Sequence, residues 1–179
     1  PSAENAKWQI SDPFFLELLG SISVSLMENG HDMLLSGLNL HLEDSSGIGL
    51  GKINCDGIIV IGQADIHERL NLMAQSYEPM VVWGAQLEGQ HYCTVGGDNL
   101  LGWRLATQHL IEQGCQRIAV IGDSNTPEGV LRYRGYEQAL AQASLAIDPK
   151  LVMATEGQKD AGYQATLRLI ASGVKFDAI

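Results

Sequence analysis

The chain has 179 residues, of which 45% are hydrophobic, so it is long enough to bury one core or two small ones. Its 11 Lys and Arg against 21 Asp and Glu give a net charge of −10, which excludes this polypeptide alone as a DNA-binding surface because phosphate contacts need clustered cations. No apolar run reaches the roughly 18 residues of a membrane span, and the first residues, PSAENAKW, lack the basic and then apolar order of a signal peptide.

The three cysteines, Cys55, Cys93 and Cys115, are too far apart for a zinc knuckle or a redox CxxC pair. An odd number of scattered thiols suits a reducing compartment, so we expect a cytoplasmic protein. His91 and Cys93 would offer only two metal ligands, fewer than the zinc sites of proteins use. We therefore expect neither a metal nor another cofactor.

The first predicted element is a helix that follows the N-terminal residues. Asp12 is a plausible N-cap, Pro13 suits the first helical position, and Gly30 marks the end of the pattern. Apolar residues recur at helical spacing and so fall on one face, namely Phe15, Leu18, Leu19, Ile22 and Leu26.

Apolar strands and helical patterns then alternate along the chain. Strands are predicted at 31–37, 55–63 and 78–85, and a helix at 64–75. The segment CDGIIVIGQ, residues 55–63, is a continuous apolar run between glycines, which predicts a strand buried on both faces.

The second half of the chain is the more regular half. Asp98 or Asn99 is expected to cap a helix from about Leu100 to Gln113, and Gly114 suits the left-handed position that follows it. The remaining predicted elements are a strand at 117–122, a helix at 127–143, a strand at 151–155, a helix at 161–173 and the beginning of a strand at 176–179. This order predicts the α/β class, with parallel sheets that carry helices on both faces.

The motifs that would indicate an enzyme are weak. The run GIGLGK at residues 47–52 is glycine-rich, but a strand follows it instead of a helix, and Ile53 stands where a Walker loop needs Ser or Thr. There is no GxSxG nucleophile motif, and the spacing of Asp98, Asp123 and Asp160 does not resemble a catalytic pair. We therefore expect that the protein is not an enzyme.

Several polar or aromatic residues fall at the carboxyl ends of predicted strands, where open α/β sheets bind ligands. They are Ser36, Gln63, Trp83, Asp98 and Asp123. Trp83 would stack on the apolar face of a sugar or on a base, with a core tryptophan as the alternative interpretation. Asp98 has a helix cap as its alternative role.

Arg132 is the remaining candidate from the residues themselves. Its guanidinium offers a rigid fork of donors that suits adjacent hydroxyls or a carboxylate. The alternative is a helical ion pair, because Glu128 lies four residues earlier in the favourable orientation.

The run DNLLGWRLATQHLIEQGCQRIAVIGD, followed by RYRGYEQAL, closely resembles the effector-binding core of the lactose-repressor (LacI/GalR) family of bacterial transcription regulators. SDPFFLELL and CDGIIVIGQ resemble the first helix and the third strand of the same family. The resemblance implies a periplasmic-binding-protein-like architecture of two lobes, with the N-terminal lobe at residues 1–118 and an incomplete C-terminal lobe at 119–179. It also implies a homodimer, a first crossing between lobes near Ile118–Gly122, and a small effector in the cleft.

The same resemblance assigns residues and function. Phe15 of DPFF and Arg132 of RYRGY match positions that line the effector cleft in the family, while Gln63 and Trp83 lie at matching strand ends. Sugars are the usual effectors in the family, and some members bind purines or a phosphoprotein. The expected function is therefore the sensing of a small effector, most often a sugar, that modulates operator-DNA binding by a separate N-terminal helix-turn-helix domain, absent from this sequence. The first strand of the core is also absent, and we expect both ends to continue in a longer protein. The alternatives are a periplasmic sugar-binding protein of a transport system and a nucleotide-dependent enzyme.

Overall fold

The computed structural model describes residues 13–36, 55–63, 66–76, 79–123, 125–155 and 159–179. The chain divides into two compact units, Pro1–Leu42 and Glu43–Ile179. The elements, in chain order, are α1 (Pro13–Glu28), β1 (Ile58–Ile61), α2 (His67–Ser76), β2 (Met80–Trp83), β3 (Cys93–Val95), α3 (Asn99–Glu112), β4 (Val120–Gly122), α4 (Pro127–Gln142), a short 3-10 helix (Pro149–Leu151), β5 (Val152–Ala154) and α5 (Lys159–Ala171). The strands pair in parallel, so the predicted α/β class is confirmed.

Helix α1 belongs to the first unit. It begins at Pro13 as predicted, and the left-handed Gly30, with φ +78°, follows its end. The predicted cap, Asp12, lies outside the described residues. The strand predicted at 31–37 is wrong for 31–36, which belong to no helix or strand, and Leu34 is 73% exposed. An apolar segment forms a β-strand only where a neighbouring strand supplies partners for its backbone hydrogen bonds.

The first sheet belongs to the second unit and has the order β1–β2–β3. Ile58 pairs with Met80, and Trp83 pairs with Val95. Val60 and Val82 are buried, whereas Ile59 is 46% exposed. The prediction of a strand buried on both faces is therefore wrong for β1, which follows the one-sided alternation of a strand with a single covered face.

The second sheet pairs β4 with β5, with Val120 opposite Val152. The strand predicted at 176–179 is present as a single parallel bridge between Ile118 and Ala178. The Asp177 carboxylate secures that bridge, because it accepts the backbone N–H of Gln116 at 2.8 Å. Backbone N–H donors favour the charged form, so they lower the pKa of Asp177.

Helix α3 packs with the second sheet. Trp103, Leu110 and Ile111 of α3 lie against a buried cluster of Ile118, Val120, Tyr136 and Leu140. The polypeptide thus leaves the first sheet at residues 96–98, before α3. Ile118–Gly122, where the resemblance implies a first crossing between lobes, contributes to this core, since Ile118 and Val120 are 3% and 6% exposed. The lobe boundary after residue 118 stays a prediction.

A glycine sets the distance between α3 and α4. A Cβ atom built on Gly135 of α4 would lie 2.3 Å from the carbonyl oxygen of Leu100 and 2.9 Å from the backbone nitrogen of Arg104. These contacts are with backbone, so relief requires the helices to move apart. The absence of a side chain at Gly135 is therefore a condition of this packing.

We expect the Gly135→Ala substitution to lower the free energy of unfolding by roughly 1–3 kcal/mol, because it overpacks this crossing. Gly102→Ala is the matched control, since a Cβ there meets no atom within 4 Å and alanine is the better helix former by about 1 kcal/mol. Chemical denaturation of both variants measures the difference. Equal stability of the two would contradict the close approach of α3 and α4.

The buried Tyr136 leads us to expect that the protein loses stability at alkaline pH. Its hydroxyl donates to the carbonyl of Ile118 at 2.9 Å, and burial of the side chain raises the pKa to about 12. Because this pKa is above the usual value of 10, the contribution to stability is complete below pH 10 and is lost as the pH rises toward 12. Chemical denaturation at pH values from roughly 9 to 12 should show this loss of stability. In the Tyr136→Phe variant, the loss of stability over the same pH range should be smaller.

Candidate ligand-binding site

A cavity of about 660 Å³ lies within the second unit. It is lined by the loop between β2 and β3, by β3, by Gly96–Leu100 at the start of α3, and by Leu131 of α4. The cavity thus lies where the first sheet gives way to the two helices of the second, at the carboxyl end of β3. This is the position at which open α/β sheets bind ligands.

Asp98 lies on the cavity wall and caps α3. It is exposed, and its Oδ1 accepts the backbone N–H of Leu101 at 2.9 Å. The predicted capping role is therefore confirmed, and the helix begins at Asn99. The first N–H groups of a helix have no partner in the helix itself, so this end of α3 presents hydrogen-bond donors beside the carboxylate.

Arg132 joins the start of α3 to the second turn of α4. Its Nε donates to the Oδ1 of Asn99 at 2.8 Å, across 33 residues of sequence. The predicted alternative, an ion pair with Glu128, is not formed, since Arg117–Asp148 is the only salt bridge in the described part of the chain. Arg132 is exposed and lies next to Leu131, which lines the cavity.

The start of α4 is held by its own close contacts. Thr126 caps the helix by accepting the N–H of Gly129 at 3.1 Å, and Pro127 follows at the first helical position. A Cβ atom on Gly129 would lie 1.5 Å from the carbonyl oxygen of Asp123, so no other residue fits. The turn at Asp123 therefore places the start of α4, and Arg132 with it.

Gln63 is fully buried and supports the β2–β3 loop from below. Its Oε1 accepts the N–H of Ala85 at 2.8 Å, and its Nε2 donates to the Ala85 carbonyl at 2.7 Å and to the Tyr92 hydroxyl at 3.0 Å. Gly84 leaves room for this amide, because a Cβ there would lie 2.7 Å from it. With no exposed surface, Gln63 contacts the loop and not the cavity, and its effect on a ligand passes through Ala85 and Tyr92.

Two other amides complete the support. Asn71 of α2 accepts the N–H of His91 at 2.8 Å and donates to the Gly89 carbonyl at 3.2 Å. Gln90 accepts the N–H of Leu87 at 2.8 Å and donates within the loop. These bonds satisfy backbone groups that have no sheet or helix partner.

Tyr92 ends the loop and lines the cavity, although it is only 5% exposed. Its hydroxyl lies 2.7 Å from Nδ1 of His67. Burial raises the pKa of Tyr92, and the charges of Glu128 and Glu68 raise it further. The hydrogen bond from Gln63 acts in the other direction and lowers this pKa, but the net shift is upward. Sequence reasoning singled out Gln63 but missed Tyr92, His67 and Asn71, because bonds spanning 18 to 29 positions leave no periodic signal.

The two aromatic candidates are not among the described residues that line the cavity. Trp83 is half-buried at the end of β2, next to Gly84, and is not one of the described residues that line the cavity. Phe15 is half-buried in α1, in the other unit, with its ring 5.5 Å from that of Phe14. The glycine-rich run 47–52 lies outside the described residues.

The described residues contain no group of three or more His, Cys, Asp or Glu arranged to hold a metal ion. No helix among the residues placed by the structure is long and apolar enough to cross a membrane.

Two substitutions separate the capping role of Asp98 from its charge. Asp98→Ala should lower the free energy of unfolding by about 0.5–2 kcal/mol through loss of the cap, whereas Asp98→Asn should keep most of it because asparagine caps equally well. Thermal or chemical denaturation measures both. Equal destabilisation by Asn and Ala would contradict the cap.

Comparison with known proteins identifies relatives of this chain in sequence and in structure. A family model described as a periplasmic binding protein-like domain matches residues 107–178. The HTH-type transcriptional repressor PurR of Haemophilus influenzae (strain PittEE) is 30% identical over 169 residues, which cover 88% of the chain and 48% of PurR. The chain spans about half the length of the curated relatives it matches.

Solved structures agree with the sequence relatives. A LacI family transcriptional regulator from Enterococcus faecium with bound ribose has a TM-score of 0.73 and 26% identity, over 93% of this chain and 62% of that one. The complex of the transcriptional regulator CelR with cellobiose has a TM-score of 0.68 and 29% identity, over 89% and 50% of the two chains. The chain is thus a homologue of the LacI/GalR family of transcriptional regulators and has the periplasmic-binding-protein-like fold of their effector-binding core.

Proposed function

We propose that the chain is the ligand-sensing core of a LacI-type transcriptional regulator, in which a small effector modulates operator-DNA binding by a separate helix-turn-helix domain. The observation that carries the proposal is the cavity between the β2–β3 loop and the starts of α3 and α4, with Asp98 on its wall and Arg132 bonded to Asn99 beside it. Relatives with the same fold, two of them solved with cellobiose or ribose, support this function.

The chemistry of the cavity wall favours a neutral, hydroxyl-rich ligand, so we propose a sugar. Side-chain amides and a hydroxyl supply donors and acceptors, from Gln86, Gln90, Thr94 and Asn99. Glu88 and Asp98 add two carboxylates to the wall itself, whereas Arg132, the cation proposed as a ligand contact, lies beside the wall, bonded to Asn99. Carboxylates accept hydrogen bonds from sugar hydroxyls, but their negative charge repels a phosphate group. A phosphorylated ligand therefore fits less well.

The predicted site residues take different parts in this proposal. The carboxylate of Asp98, at the start of α3, accepts hydrogen bonds from ligand hydroxyls. The guanidinium of Arg132, on α4, donates hydrogen bonds to the oxygens of the same ligand. Gln63 positions the loop and does not touch the ligand. Trp83 and Phe15 remain proposed contacts, on the strength of the family resemblance.

Sensing requires two states that a ligand distinguishes. We propose that the two sheets are the centres of two lobes and that the crossing lies at residues 96–98, where the chain passes from β3 to α3. Ligand that bridges the loop and the helix starts would favour the closed arrangement. A coupling of about 1–3 kcal/mol would be enough to change operator affinity 5- to 150-fold.

The remaining parts of the proposal concern the whole protein. We propose a homodimer in the cytoplasm, with operator DNA bound only through the helix-turn-helix domain. The matched relatives are regulators and not enzymes, and the proposed role is binding without chemical conversion.

A thermal-shift series on the full-length protein with cellobiose, ribose and ribose 5-phosphate tests the ligand class. Neutral sugars should raise the melting temperature by mass action, and the phosphorylated sugar should not. Recovery of each sugar unchanged tests the absence of turnover. A protein that responds to no neutral sugar, or that converts one, would overturn this function.

Arg132→Ala should weaken binding of the responsive sugar by roughly tenfold or more, since a charged hydrogen bond contributes about 1.5–3 kcal/mol. Arg134→Ala is the matched control, an exposed arginine on the same helix with no hydrogen bond in the described structure. Isothermal titration measures both. Unchanged affinity in Arg132→Ala would remove this residue from the site.

A further inference from the structure

The hydrogen bonds around Tyr92 determine whether its hydroxyl gives its proton to a neighbouring side chain. The first constraint is the orientation of the Gln63 amide. Because Oε1 accepts the N–H of Ala85 and Nε2 donates to the carbonyl of the same residue, a flipped amide would oppose N–H to N–H and oxygen to oxygen. Nε2 therefore donates to the hydroxyl oxygen of Tyr92.

The second constraint is the orientation of the Asn71 amide. Its Oδ1 accepts the N–H of His91 and its Nδ2 donates to the carbonyl of Gly89, so it is also fixed by backbone groups of both kinds. The same Nδ2 lies 3.4 Å from Nε2 of His67. An N–H group facing Nε2 leaves that nitrogen as the acceptor, which places the His67 proton on Nδ1.

The third step concerns the hydroxyl oxygen itself. With its proton on Nδ1, His67 donates to Tyr92 across 2.7 Å. The oxygen of Tyr92 then accepts two N–H groups, from Gln63 and His67, and both of its lone pairs are used. No described residue accepts the hydroxyl proton, although the side chain is buried and lines the cavity.

We propose that Tyr92 is a ligand-binding residue that donates its hydroxyl proton into the cavity, to an acceptor oxygen of a neutral ligand. The proposal rests on the proposed function and extends it to a specificity determinant. Burial raises the pKa of Tyr92, which keeps the donor protonated. Since Glu88 and Asp98 are acceptors, the ligand must present an acceptor oxygen to Tyr92 and donor hydroxyls to the carboxylates.

The proton assignment is tested without any ligand. Full-length protein with nitrogen-15 in its histidine rings gives chemical shifts that identify the protonated ring nitrogen, and a His67→Gln variant identifies the resonances of His67. The expected result is a proton on Nδ1. A proton on Nε2 would make Tyr92 the donor to His67 and would overturn the inference.

The ligand contact is tested with Tyr92→Phe and a matched control, Tyr136→Phe. Both substitutions remove a buried hydroxyl, but that of Tyr136 donates to the Ile118 carbonyl in the core. In a titration with cellobiose or ribose, Tyr92→Phe should weaken the binding affinity by roughly three- to tenfold, and Tyr136→Phe should weaken it by less than about twofold. Equal affinities in the two variants would overturn the role of Tyr92 alone, whereas a parent protein that binds neither sugar would overturn the proposed function with it.

Discussion

The close crossing of α3 and α4 is the constraint on which the candidate site depends. Gly135 lets the helices approach until a methyl group would overlap the Leu100 carbonyl. Gly129 allows the start of α4 to turn against Asp123. These two contacts bring the helix starts together, so that Arg132 reaches Asn99 and both helices border one cavity. The ligand site is in this sense a consequence of helix packing.

The opposite wall depends on polar contacts. The loop between β2 and β3 returns the chain to a parallel strand without a helix, so its backbone groups need other partners. Gln63, Asn71 and Gln90 provide them with side-chain amides. Side-chain amides that bond backbone groups in this way rigidify a buried segment. The wall is thereby preorganised, which reduces the ordering that a ligand would otherwise impose on it.

The sequence predicted features that rest on local chemistry. The α/β order, the cap at Asp98 and the left-handed Gly114, with φ +93°, are all confirmed. The strand at 31–37 depends on pairing and packing between distant segments, which apolar runs do not encode. Tyr92 was missed for the same reason, because its role emerges only when partners 25 and 29 residues away are brought to its hydroxyl.

The central claim is that one small molecule contacts both the β2–β3 loop and the starts of α3 and α4. Amide hydrogen exchange of the full-length protein, with and without a saturating sugar, tests it most directly, because protection reports local opening. The account predicts slower exchange in residues 84–99 and 127–132 together. Protection confined to one of these segments, or located in β5 and α5 instead, would contradict it.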